Sequence, residues 1–122
     1  GVKGQKLMIP KRFYNLNWKV FKFIIRGLFD TDGCIYARKD EKYRYPHIKI
    51  TSKSKKLVVQ VYNILIKNKY PVRITKAEDE IILKGIKNTK KWMKDIGSSN
   101  KKHLYKYKYW LKHGNLPAHL LG

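Results

Sequence analysis

The chain moves between two hydrophobic rhythms. From Trp18 onward Val20, Phe21, Ile24, Ile25, Leu28 and Phe29 recur every three or four residues, with Asn17 ahead of them as an N-cap and Gly33 behind as a stop. This predicts a helix over about 17–31. The next stretch, CIYARKDEKYRYPHIKIT, changes to a period of two. Ile35 and Ala37 point one way and Tyr36 and Arg38 the other; further on, Ile48 and Ile50 oppose His47, Lys49 and Thr51. The polar KDEK between them makes a hairpin tip. The helical rhythm returns in SKSKKLVVQVYNILIKNK, capped by Ser52 or Ser54 and burying Leu57, Val58, Val61 and Leu65. YPVRITK and DEIILKG then form a second hairpin around Ala77 to Asp79. KNTKKWMKDIG reads as a helix ended by Gly97, and NKKHLYKYKYWLKHG as a last, basic helix ended by Gly114.

Residues 1–16, with two glycines, a proline and no sustained period, read as an arm or linker with a short turn near Pro10, and 17–122 as a single domain. The order helix, hairpin, helix, hairpin, helix, helix predicts an α+β fold: a four-stranded antiparallel sheet with the helices packed on one face. Each hairpin is aliphatic on one side and carries Lys, Arg, Thr, Tyr and His on the other. A two-stranded ribbon fits the DNA major groove, so the outward residues Tyr36, Arg38, His47, Lys49, Arg73, Thr75 and Lys84 are the candidate DNA contacts.

Charge sharpens this expectation. Against 8 Asp and Glu stand 29 Lys and Arg, a formal net charge of +21, while 43% hydrophobic residues supply a core for a chain of 122. Such a domain folds and seeks a polyanion, nucleic acid above all. The last helix interleaves Tyr105, Tyr107, Tyr109 and Trp110 with lysines, part of it core and the rest directed at backbone phosphate. The single Cys34 excludes an intramolecular disulfide, and His47, His103, His113 and His119 lack zinc-finger spacing, which points to a reducing, intracellular setting. No apolar run approaches the ~18 residues of a membrane span.

Two of the few acids, Asp30 and Asp32, close the first helix. There they meet the negative end of the helix dipole, and at ~3.6 residues per turn they point about 200° apart, so each needs its own role. Gly27 and Thr31, four residues apart on one face, let another backbone come close. A helical glycine costs about 1 kcal/mol, so it calls for a packing or functional reason.

The stretch IRGLFDTDG, Ile25 to Gly33, resembles the LAGLIDADG motif of the homing endonucleases at its Gly, Leu, Asp, Asp and Gly positions. The order of elements is similar to that family's αββαββα core. The segments IPKRFYN and IGSSNKKHLYKY resemble its archaeal, intein-associated branch. The resemblance implies a sheet that saddles double-stranded DNA and two such helices packed together through Gly27, Leu28 and Thr31. It also implies a divalent metal, Mg²⁺ or another oxygen-ligand cation such as Mn²⁺, held by Asp32 at Gly33 for phosphodiester hydrolysis, with no small-molecule cofactor. Asp30 takes a backbone hydrogen bond or an interface contact. By position, Ser52 and Lys56 take the places of the family's active-site polar and basic residues, Ser52 departing from the usual glutamine. Lys102, or else Lys101, supplies its active-site lysine.

One motif in the chain implies a homodimer on a long, nearly palindromic site. Arg26 stands where the motif has a small residue, as in many second repeats, which favours the alternative of one half of a two-repeat enzyme. A non-cleaving DNA-binding regulator or an RNA-splicing maturase of the same fold is the rival class. A carboxylate at the duplex has no use in binding alone, and so the nuclease is preferred.

Overall fold

The computed structural model describes residues 9–10, 17–38, 40 and 45–117. The elements are α1 (Trp18–Asp32), β1 (Gly33–Tyr36), β2 (His47–Thr51), α2 (Lys55–Lys67), β3 (Arg73–Ile74), β4 (Glu80–Leu83), α3 (Ile86–Asp95) and α4 (Lys101–His113). The fold is α+β, as the two rhythms predict. Most of the N-terminal arm and most of the first hairpin tip lie outside the described residues.

Local chemistry accounts for the boundaries. The Asn17 side chain accepts the Val20 N–H at the start of α1, and Ser54, not Ser52, caps α2 by accepting the Leu57 N–H. Asn100 caps α4 by accepting the N–H groups of Lys102 and His103, and the left-handed Gly114 ends it.

All pairings are antiparallel, in the order β1-β2-β4-β3. Gly33 lies opposite Ile50, Thr51 opposite Glu80, and Arg73 opposite Ile82. One face of this sheet sends Ile35, Ile48, Ile50, Ile81 and Leu83 into the core, where they meet Phe21, Ile25 and Phe29 of α1 and Leu57, Val58, Val61 and Leu65 of α2. Trp92 of α3 packs edge-on to Phe29 and Tyr70, with ring centres 5.4 and 5.7 Å away. Asp95 accepts from Tyr70 Oη and Trp18 Nε1, tying α3 to α1. Burial and that carboxylate push the Tyr70 phenol well above its usual range.

Two core residues fall outside the elements anticipated from periodicity. Ile9 is buried and exchanges both main-chain hydrogen bonds with the Gln60 side chain, and Leu116 is buried beyond the end of α4. Among the described residues no helix is long and apolar enough to cross a membrane.

Candidate nucleic-acid interface and metal centre

The C-terminal end of α1 is set by one close approach. A Cβ on Gly33 would lie 2.6 Å from Phe29 Cδ1, 2.8 Å from the Phe29 carbonyl oxygen and 2.9 Å from the Lys49 carbonyl oxygen. Only glycine lets the chain pass from helix to strand this tightly, and the turn leaves Asp32 exposed at the end of the sheet.

The two acids beside it have separate fates. Asp30 turns into its own chain. Its carboxylate accepts from Ser98 Oγ and, at 2.9 Å, from the Ser99 N–H, while its carbonyl accepts Asn100 Nδ2 at 2.9 Å. Its place is therefore the anchor of the 98–100 loop and, through Asn100, of the N-terminus of α4. Asp32 makes no hydrogen bond or ion pair with any described residue. Asp40, Asp79, Glu80 and Asp95 all have side-chain partners, and Asp32 shares its freedom only with Glu78 among the described acids. In a chain of net charge +21 an unpaired carboxylate stands out.

His103 completes the anchor. Its Nε2 faces the Gly33 carbonyl at 3.0 Å and so carries the proton; Nδ1 faces Ser98 Oγ at 3.3 Å, and the ring lies 4.4 Å from that of Phe29. Burial lowers the His103 pKa, opposed by the hydrogen bond to Gly33 and by the nearby Asp30. The Gly33 carbonyl, expected beside a metal, is thus already engaged by a donor of its own chain.

Ser52 sits at the same end of the sheet, one residue past the Thr51–Glu80 pair. Its N–H donates to the Asp79 carbonyl, and its Oγ accepts the Ser54 N–H at 3.1 Å. Lys56 is exposed in the first turn of α2, and Lys101 and Lys102 are exposed in the first turn of α4. The Asp30 anchor holds that turn of α4 against the end of α1, so Lys101, Lys102 and Asp32 belong to one corner of the molecule. Among the described residues no three of His, Cys, Asp and Glu gather to hold a metal. Asp32 is the unpaired carboxylate at the end of α1, and a cation held there would draw its remaining ligands from outside this set.

The outward sheet face carries Tyr36, Lys49, Thr51, Arg73 and Lys84, but not all the anticipated contacts are equally open. His47 is buried, its Nδ1 accepting the Gly85 N–H at 3.0 Å between the rings of Tyr36 and Tyr45. It supports Tyr36 from beneath the surface. Thr75 spends its hydroxyl on Asp79 and the Glu80 N–H, holding the second hairpin turn. Arg38 pairs with Asp40 at 2.8 Å, which keeps the Asp40 carboxyl below its usual range. Lys49 lies over the Tyr36 ring and 3.6 Å from Glu80.

The outer face of α1 runs through Val20 (41% exposed), Phe23 (59% exposed), Gly27 and Thr31. A Cβ on Gly27 would meet nothing within 4 Å. Thr31 turns its hydroxyl back to the Gly27 carbonyl at 3.0 Å. Leu28 packs partly against the core instead. Arg26 lies over the Phe23 ring, 5.3 Å from its centre, while its Nε donates to the Ile96 carbonyl at 2.6 Å, placing a cation at the C-terminus of α3. That is a reason for an arginine within the chain's own packing.

Sequence reasoning did not single out Ser98, Asn100 and His103 as partners of Asp30. The one available signal was the SSN run ahead of the last helix, which reads as a cap.

No curated protein and no solved structure matches the chain significantly. The family model described as a LAGLIDADG-like domain matches residues 21–107, from the first turn of α1 into the middle of α4. With the α1 end at Asp30–Thr31–Asp32–Gly33 and the four-stranded antiparallel sheet beside it, the chain belongs to the LAGLIDADG homing endonuclease family.

Proposed function

We propose that the protein is a site-specific, metal-dependent endonuclease that cuts double-stranded DNA as a homodimer on a long, nearly palindromic site. The observation that carries this reading is Asp32, exposed and unpaired at the end of a helix whose neighbouring outer face is open at Gly27. Phosphate repels a carboxylate, so an unpaired acid on a DNA-seeking surface is unfavourable unless a hard cation joins the two.

In this reading α1 packs on its counterpart through Val20, Phe23, Gly27 and Thr31, bringing one Asp32 from each copy to the duplex. Asp32 holds a divalent ion, Mg²⁺ or Mn²⁺. When bound, that ion supplies Lewis acidity to the scissile phosphate and to the attacking water. Lys102 or Lys101, with Ser52 and Lys56, holds phosphate oxygens and water in position, and Tyr36, Lys49, Arg73 and Lys84 grip the flanking duplex. The segments IPKRFYN and IGSSNKKHLYKY favour the archaeal, intein-associated branch, acting on DNA inside the cell.

Replacing Asp32 with Asn tests the assignment. Cutting should be lost while DNA binding persists or tightens, because a negative charge beside phosphate has gone; a variant that cuts at the normal rate would sink the reading. The same open face also fits a second repeat. A chain that stays monomeric on DNA and cuts only when joined to another motif-bearing unit would establish it.

A further inference from the structure

α4 presents a flank that neither the core nor the Asp30 anchor uses. Tyr105 is 59% exposed, and Tyr105, Tyr109 and His113 follow one another at four-residue steps along one side of the helix. Their ring centres are 6.3 Å apart from Tyr105 to Tyr109 and 4.3 Å apart from Tyr109 to His113. The core side of the helix is different: His103 and Trp110 are buried there, and Tyr107 packs against Trp110. Lys106, on the next row round, donates to the Ile35 carbonyl, so α4 packs along the β1 edge of the sheet with the ring row on the adjoining side of the helix.

Charge identifies the class of partner. Lys101, Lys102, Lys106, Lys108 and Lys112 lie on this one helix, and no Asp or Glu occurs from Ile96 to Gly122. Cations alone would suit any phosphate backbone. Rings interleaved with them, Tyr105 and His113 exposed and Tyr109 half-buried between them, suit unpaired bases, whose π faces are hidden in a duplex. We infer that the Tyr105–Tyr109–His113 flank of α4 is a stacking surface for single-stranded nucleic acid, separate from the duplex-reading face of the sheet.

The purely structural alternative is that the rings only support one another along the helix. A pair of double variants separates the two. In one, Tyr105 and Tyr109 become Leu, which keeps helix propensity and apolar contact but removes the π faces; in the other both become Phe, which keeps the faces. Binding is measured by fluorescence anisotropy on oligo-dT and oligo-U of roughly 12 nucleotides and on a duplex of the same length. The Leu variant should bind both single strands at least about tenfold more weakly with duplex affinity unchanged, and the Phe variant should match the unaltered chain. A preference between dT and U would identify which strand the surface serves. Four outcomes would overturn the inference. They are unchanged single-strand binding by the Leu variant, an equal loss on duplex, a loss by the Phe variant as large as that by Leu, or a fall in sedimenting mass of the Leu variant with single-strand affinity intact, which would make the flank a contact between copies. Tyr105→Leu alone, at the most exposed ring, gives the same readout should the double variant fold poorly.

Discussion

An alanine at position 27 and an alanine at position 33 should move stability in opposite directions. At Gly27 the added methyl meets nothing and gains helix propensity, so Gly27→Ala should stabilise the isolated domain by up to about 1 kcal/mol in urea denaturation at low concentration. The same methyl stands between two helices if α1 is an interface, and sedimentation equilibrium should then show weaker self-association. A more stable domain with undiminished association would show that this face is free in the functional form. At Gly33 the methyl runs into the Phe29 and Lys49 carbonyl oxygens, which cannot swing away as a side chain does, and Gly33→Ala should cost about 1–3 kcal/mol. Sequence alone assigned Gly27 to a close approach of another backbone and Gly33 to the helix stop; what it could not show is that the crowding within the chain falls on Gly33 and not on Gly27. The same holds for Asp30 and Asp32: helical spacing shows that they diverge, but only the 98–100 loop, distant in sequence, decides which of them is consumed by the fold.

The elements themselves were legible because each carries its own period and its own punctuation. Asn17 and Gly114 act where the pattern put them, Ser54 is the one of the two candidate serines that caps α2, and the buried face of α2 is the predicted one. What periodicity could not supply was the docking of α4 on α1, which rests on polar contacts between residues about seventy positions apart. This docking has a pH signature. Burial lowers the His103 pKa below its ordinary 6.5, so the unfolded chain takes up that proton first as pH falls. The neutral imidazole's contribution is therefore complete above about pH 6.5 and is lost as pH falls towards the folded-state value. Thermal unfolding of His103→Gln should lack this part of the pH dependence while keeping a donor for the Gly33 carbonyl. An identical acid limb in both proteins would contradict the assigned network. Tyr105, Tyr109 and His113 show the opposite limit of pattern reading: their period is helical, yet nothing in the sequence says which side of the helix the core will leave open.

At the scale of the whole molecule Asp32 lies where α1 passes into the sheet at Gly33, and a net charge of +21 makes the domain repel itself. DNA relieves that repulsion, and binding should weaken steeply and linearly in log-log form as salt is raised, the slope reporting the number of phosphates neutralised. A flat salt response would mean that the charge serves something other than a polyanion. The family membership and the sheet topology do not by themselves distinguish a protein that cuts from one that only binds; the proposed cleavage rests on Asp32, exposed and unpaired at the end of α1. The most direct measurement is a cleavage selection on a randomised duplex library with Mg²⁺, in which staggered ends are captured and sequenced for the unaltered chain and for Asp32→Asn in parallel. The account predicts a long, nearly palindromic site recovered from the unaltered chain alone; DNA that is bound by both proteins and cut by neither, or cut equally by both, would contradict it.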